Sequence, residues 1–188
     1  EDPGRVVFLT GVAGAVLGLG LALSSPIWGG LGDRYGRKLN IVRSIGLSAV
    51  LLLLTGFCQN VPQLLIARFL AGAVAGTQGP IVALIASTTP TRRAAFAMGV
   101  IQSAMLIGTS IGPVVGGPIF DSFGHQAAFV TTASFLAFAT LLVMVGVKED
   151  FDRPASGAIS IARLFAGLWE TAKARSMWPL FIVVFLLW

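Results

Sequence analysis

The hydrophobic pattern of this chain is a series of long runs separated by short polar connections. Residues 6–32 contain no charged side chain. Residues 44–57 extend an apolar run that opens at Leu39, and Gln59, Asn60, Pro62 and Gln63 then interrupt it. A third run, 64–87, carries a single charge, Arg68, and two more, 94–120 and 126–147, carry none. A final apolar stretch begins at Met177 and is still apolar at Trp188. A helix needs about 20 apolar residues to cross a hydrocarbon core about 30 Å thick. Five runs therefore predict membrane-spanning helices, and residues 177–188 predict the truncated start of a sixth. The runs are apolar all round, not at a period of 3.6. A soluble helical core protein would expose large patches with such a pattern and is excluded.

The polar connections carry the orientation, because Lys and Arg are held on the cytoplasmic side. Along the chain the connections contain 4, 0, 2, 0 and 5 basic residues. The loops at 29–43, 88–93 and 148–176 are therefore expected in the cytoplasm, and the chain's N-terminus outside. A protein with a cytoplasmic N-terminus needs one more span upstream. The chain then holds spans two to six in residues 1–147, a linker in 148–176, and the start of span seven. Within the linker Ile161, Leu164, Phe165, Leu168 and Ala172 recur at three- and four-residue steps, while Arg163, Glu170 and Lys173 fall elsewhere. That spacing predicts an amphipathic helix, lying on the membrane surface or packed on the protein's own helix ends.

Composition agrees with this reading and narrows it. Of 188 residues 55% are hydrophobic and 11% charged, against about a quarter charged in soluble domains. The net charge of +5 is spread between apolar runs, so nucleic-acid binding is not expected. Cys58 is the lone cysteine, so no internal disulfide can form. His125 is the lone histidine, which excludes a histidine-based metal site or catalytic triad. There is no Walker A pattern to hold ATP. Gly108-Thr109-Ser110-Ile111-Gly112 formally matches a hydrolase nucleophile motif, but it lies inside an apolar helical run where no strand precedes it. No enzyme activity, metal or cofactor is expected.

Three features remain. The first is the loop Gly29-Gly30-Leu31-Gly32-Asp33-Arg34-Tyr35-Gly36-Arg37-Lys38. Plain topology accounts for its cations but not for Asp33 or the glycines. The second is Arg68, a charge within a membrane helix, which suggests function by default or a snorkelling side chain near the outer end. The third is Gly108, Gly112 and Gly116, which share one helix face, with Pro113 and Gly117 beside them.

The loop closely resembles the cytoplasmic signature Gly-x-Leu-x-Asp-Arg-x-Gly-Arg-Lys of the major facilitator superfamily, with Gly30, Asp33, Arg34, Gly36, Arg37 and Lys38 matching. Arg68 with Gly72 resembles that family's span-four motif, in which the arginine is implicated in proton coupling. Gly108, Gly112, Pro113, Gly116 and Gly117 resemble the span-five signature of its antiporters. The resemblance is closest to the twelve-span drug:proton antiporters of the bacterial multidrug type. It implies an all-α, polytopic bundle of two six-span halves in the bacterial inner (plasma) membrane. It also implies secondary active efflux of small amphipathic compounds by alternating access, driven by a proton gradient without a cofactor. The partners implied are a small-molecule substrate, the lipid bilayer, and a first span and C-terminal half outside this chain. An importing symporter, or a receptor or assembly protein on the same scaffold, stays open as an alternative. Two positions depart from the pattern. Ser87 stands where many relatives have an acid near the end of span four, and His125-Gln126 stands where relatives often have Trp-Arg.

Overall fold

The structure, a computed structural model, describes residues 3–149. The amphipathic helix expected in the linker and the start of a seventh span lie outside the described residues. Every described regular element is an α-helix: α1 Pro3–Tyr35, α2 Arg37–Thr55, α3 Val61–Val74, α4 Gln78–Thr88 and α5 Thr91–Gly146. Counting α3 and α4 as one segment, Val61–Thr88, four stretches are long and apolar enough to cross a membrane.

Polar residues set the boundaries. Gly36, at φ 100, joins α1 to α2. Asn60 caps α3 by accepting from the Gln63 N–H at 3.1 Å, and the Gln63 side chain accepts from the Gln59 N–H at 2.9 Å. This is a reciprocal arrangement of the capping-box kind, and it explains the polar break between the second and third runs. Pro90 precedes α5.

The structure differs from the sequence expectation in three places. The expected loop at 29–43 is helical on both sides of Gly36, which places Arg43 inside α2. The third run is not one continuous helix. It breaks at residues 75–77, with Gly76 at φ 112, and resumes as α4. The expected loop at 121–126 is instead helical on both sides of a single non-helical residue, Gly124, at φ 81 and ψ 175. A straight helix of 56 residues would run about 84 Å, nearly three hydrocarbon thicknesses. One glycine, rather than a loop, interrupts it.

Packing is led by small residues. α1 and α3 run in the same direction and touch backbone to backbone. A Cβ on Gly20 would collide with the Phe69 carbonyl oxygen and lie 2.9 Å from the Ala73 nitrogen. A Cβ on Gly72 would collide with the Leu17 carbonyl oxygen and lie 3.0 Å from the Leu21 nitrogen. α2 runs antiparallel to the segment 125–146, with Gly56 against Phe129 and Gly46 against Thr140. Among the described residues the buried ones are the apolar Ala13, Ile41, Ala49, Ala67 and Ala133, the polar Ser24, Asn40, Ser44 and Thr55, and the glycines Gly20, Gly32, Gly36, Gly56 and Gly72. The large side chains face outward, as at Val7 (73% exposed), Phe96 (77%) and Val145 (84%). Small residues inside and bulky ones outside is the arrangement expected when the surroundings are lipid, where helices gain by close approach.

Candidate functional site: the basic turn between α1 and α2

The turn Asp33–Lys38 is organised by groups distant in sequence. α2 has no acidic residue in its first turn, and Gly36 provides no side-chain cap. The first backbone N–H groups of a helix need acceptors. Glu149, just beyond α5, supplies them: Oε1 accepts from the Arg37 N–H at 2.9 Å and Oε2 from the Lys38 N–H at 2.7 Å. Lys38 reciprocates, its Nζ donating to the Met144 carbonyl at 2.8 Å in the last turn of α5. A carboxylate thus meets the positive end of one helix and an ammonium meets the negative end of the other, each favourable for the helix dipole.

Deeper in the bundle Asn40 is the hub. Its Nδ2 donates to the Trp28 carbonyl at 2.8 Å, and its Oδ1 accepts from Arg43 Nε at 3.1 Å and Nη2 at 2.8 Å. The Arg43 guanidinium stacks on the Trp28 ring, 3.2 Å from its centroid, a cation–π contact that lowers the cost of holding a charge there. Gly32 leaves room for this amide, since a Cβ there would lie 2.9 Å from Asn40 Nδ2. Trp28 Nε1 donates onward to the Ala73 carbonyl at 2.6 Å. One network therefore joins α1, α2 and the end of α3. Beside it is a cavity of about 610 Å³ lined by Asp33, Arg37, Asn40, Gly76, Gln78 and Pro80 among others. The Asp33 side chain is exposed and makes no ion pair or side-chain hydrogen bond among the described residues.

Of the residues singled out by sequence, Gly30, Asp33, Arg34, Gly36, Arg37 and Lys38 lie together at this turn. Arg34 lies over its neighbour Tyr35, 5.6 Å from the ring centroid. Arg68 is elsewhere, in α3, lining a second cavity of about 550 Å³ with Arg5, Thr10 and apolar side chains. Its Nε is buried without a partner among the described residues. Gly108, Gly112, Gly116 and Gly117 lie on α5, where a Cβ on any of them would meet nothing within 4 Å; Pro113 lies within the same helix. The Ser110 hydroxyl donates back to the Leu106 carbonyl at 2.9 Å, inside a helix, unlike a strand-to-helix nucleophile. Ser87 likewise bonds only within its own helix, to Leu84.

Glu149, Trp28, Asn40 and Arg43 were not separable by sequence reasoning, which placed Arg43 among the topological cations and Glu149 in a polar linker. Two signals were available: an α2 start with no local acid, and one amide inside an apolar run. Loss of an N-terminal cap costs about 1 kcal/mol. Glu149→Ala is therefore expected to speed hydrogen exchange at the Arg37 and Lys38 amides about fivefold. Glu149→Gln, which retains one acceptor oxygen, should have a smaller effect. Unchanged exchange in both variants would show that Glu149 does not cap this helix.

The model of the Major Facilitator Superfamily matches residues 6–188. The chain belongs to this superfamily. It is all-α and multi-pass, a membrane protein of a transporter family. Multidrug resistance protein MdtG of Proteus mirabilis is 37% identical over 161 residues, covering 85% of this chain and 40% of that protein. The multi-drug resistance efflux pump PmrA of Streptococcus pneumoniae is 36% identical over 165 residues, 87% of this chain and 41% of that protein. MdtG of Enterobacter lignolyticus is 39% identical over 142 residues, 76% of this chain and 34% of that protein. The chain thus spans between about a third and two fifths of the length of these MdtG and PmrA relatives.

Proposed function

We propose that this chain is the front part of a proton-driven exporter of small amphipathic compounds in the bacterial inner membrane. In this reading it holds spans two to six, the interhalf linker and the start of span seven, with the Asp33 turn in the cytoplasm. The observation that carries the reading is its likeness, over 85–87% of its length, to proteins named for multidrug resistance and efflux. The site is consistent with it. Asp33 presents an unpaired carboxylate at the edge of a cavity on a turn held by contacts from α5, as a latch on a moving interface requires. Asp33, Asp121 and Glu149 are the acidic residues in the described part of the chain, and all lie outside the five uncharged or nearly uncharged runs. A carboxylate that loads and releases protons at membrane depth would therefore come from outside the described residues. The proton gradient supplies the energy, and no cofactor takes part.

The test uses the full-length protein in bacteria lacking their major efflux pumps, loaded with ethidium. Cells making the protein should retain less dye, and a protonophore should abolish the difference. Asp33→Asn should reach the membrane in normal amount and lose about tenfold in efflux, the effect of shifting a two-state equilibrium by about 1.4 kcal/mol. Equal dye retention with and without the protein would overturn the exporter reading. Full efflux by Asp33→Asn would reduce Asp33 to loop punctuation.

A further inference from the structure

At the end opposite the Asp33 turn, α1 and α3 enclose a cleft. Both helices begin at this end, α1 at Pro3 and α3 at Val61. Between them lies a cavity of about 550 Å³, lined by Arg5, Leu9, Val61, Leu64, Leu65 and Arg68 among others. Small-molecule sites commonly measure about 300–1,000 Å³. Val6 and Val61 at its rim are exposed.

The leucines make the walls apolar, and two guanidiniums stand among them. No carboxylate lines the cavity among the described residues. Neither Arg5 nor Arg68 makes a hydrogen bond or ion pair among the described residues, and Arg68 Nε is shut off from solvent. The Thr10 hydroxyl is already committed, donating to the Val6 carbonyl at 2.9 Å. Arg68 lies seven residues past Val61, about 10 Å along the helix. Snorkelling relieves such a cation by carrying it to water, and Arg68 Nε has not reached it. A buried cation without an acceptor is costly. The positive ends of the α1 and α3 dipoles face the same way and add to the field. The charges call for an anion and the walls for hydrocarbon.

We propose that this cleft holds the headgroup of an anionic phospholipid, its phosphate between Arg5 and Arg68 and the first part of a chain along Leu9, Leu64 and Leu65. A guanidinium is a planar fork of donors that matches phosphate oxygens. A zwitterionic headgroup brings a second cation to a site with no carboxylate to receive it, so a lipid of net negative charge is selected. A free phosphate ion leaves the apolar walls unused. The lipid supplies Arg68 with the acceptor that the described residues do not. This needs only a bilayer around α1 and α3 and does not rest on the exporter reading.

Native mass spectrometry of the full-length protein in mild detergent tests this, with phosphatidylglycerol and phosphatidylcholine of identical chains as probes. The tightest-bound phosphatidylglycerol should bind about tenfold more tightly than phosphatidylcholine. Arg68→Gln and Arg5→Gln should each weaken it about tenfold, the effect of losing one charge-assisted contact. Arg92→Gln, an exposed cation outside the cleft, should change it less than about twofold. Arg5 is itself exposed, so Arg5→Gln carries the test if Arg68→Gln accumulates poorly. Equal affinity for the two lipids overturns the proposal. So does unchanged phosphatidylglycerol affinity in the arginine variants; the guanidiniums are then held by chain outside the described residues, where Glu1 and Asp2 lie. Displacement of the lipid by millimolar inorganic phosphate would make this a free-anion site and overturn the lipid assignment.

Discussion

Gly72→Leu is expected to lower the amount of folded protein in the membrane about tenfold or more. The position is closed on the side where a side chain would begin. Even a Cβ would collide with the Leu17 carbonyl and stand 3.0 Å from the Leu21 nitrogen. Both are backbone atoms inside a helix, so no rotamer change can make room, and α1 and α3 would have to separate along their contact. Separation would also strip Trp28 from the Ala73 carbonyl, leaving a polar group unpaired in the bundle. Overpacking ordinarily costs about 1–3 kcal/mol; a clash with backbone combined with a lost buried hydrogen bond places this variant at about 4 kcal/mol or more. Gly18→Leu is the control, two residues from Gly20 on the same helix and with nothing within 4 Å of its Cβ. It should accumulate nearly normally. Quantitative blotting of membranes, followed by size-exclusion chromatography in mild detergent, decides the matter. Wild-type abundance and a single sharp elution peak for Gly72→Leu would show that the two backbones are not in contact.

That contact shows where the sequence was readable and where it was not. Run length alone gives the helices, because a hydrocarbon layer forces every backbone group into internal hydrogen bonds and leaves helices as the available form for such runs. The turn at Asp33–Lys38 is also readable, since a carboxylate and glycines among cations exceed what topology needs. The pairing of Gly20 with Gly72 is not readable in the same way. Glycines occur throughout these runs, at Gly11, Gly14 and Gly18 as well, and only three-dimensional placement shows which of them meets another backbone. The break at Gly76 had a local signal, Gly76 with Gly79 three and Pro80 four residues further on, but the unbroken hydropathy of 64–87 outweighed it. Hydropathy reports transfer into lipid and is blind to backbone direction. Glu149 was hidden for another reason: its partners are 111 and 112 residues away, and a carboxylate in a polar linker has no periodicity to betray it.

The same blindness works in reverse on α5, where sequence marks a surface that the described residues leave open. Gly108, Gly112 and Gly116 share a face and have empty space where their side chains would be. Val114, on another face, is 72% exposed. Within the described structure a leucine at Gly112 or at Val114 therefore meets nothing, and neither should hinder folding of this part. Any difference between them must come from chain outside the described residues. Under the exporter reading, a helix from the second half closes on the glycine strip in one conformation and leaves it in the other. Gly112→Leu then penalises one state by about 2 kcal/mol, which changes a two-state population about thirtyfold. Val114→Leu, one methylene larger and off the strip, changes little. The expected outcome is membrane abundance within about twofold of wild type for both variants, with ethidium efflux reduced about tenfold or more only in Gly112→Leu. Reduced abundance of Gly112→Leu would instead place a partner on the strip in every conformation. Equal efflux from the two variants would mean that nothing closes on this face, and the glycines of α5 would then serve only to let the helix bend around Pro113.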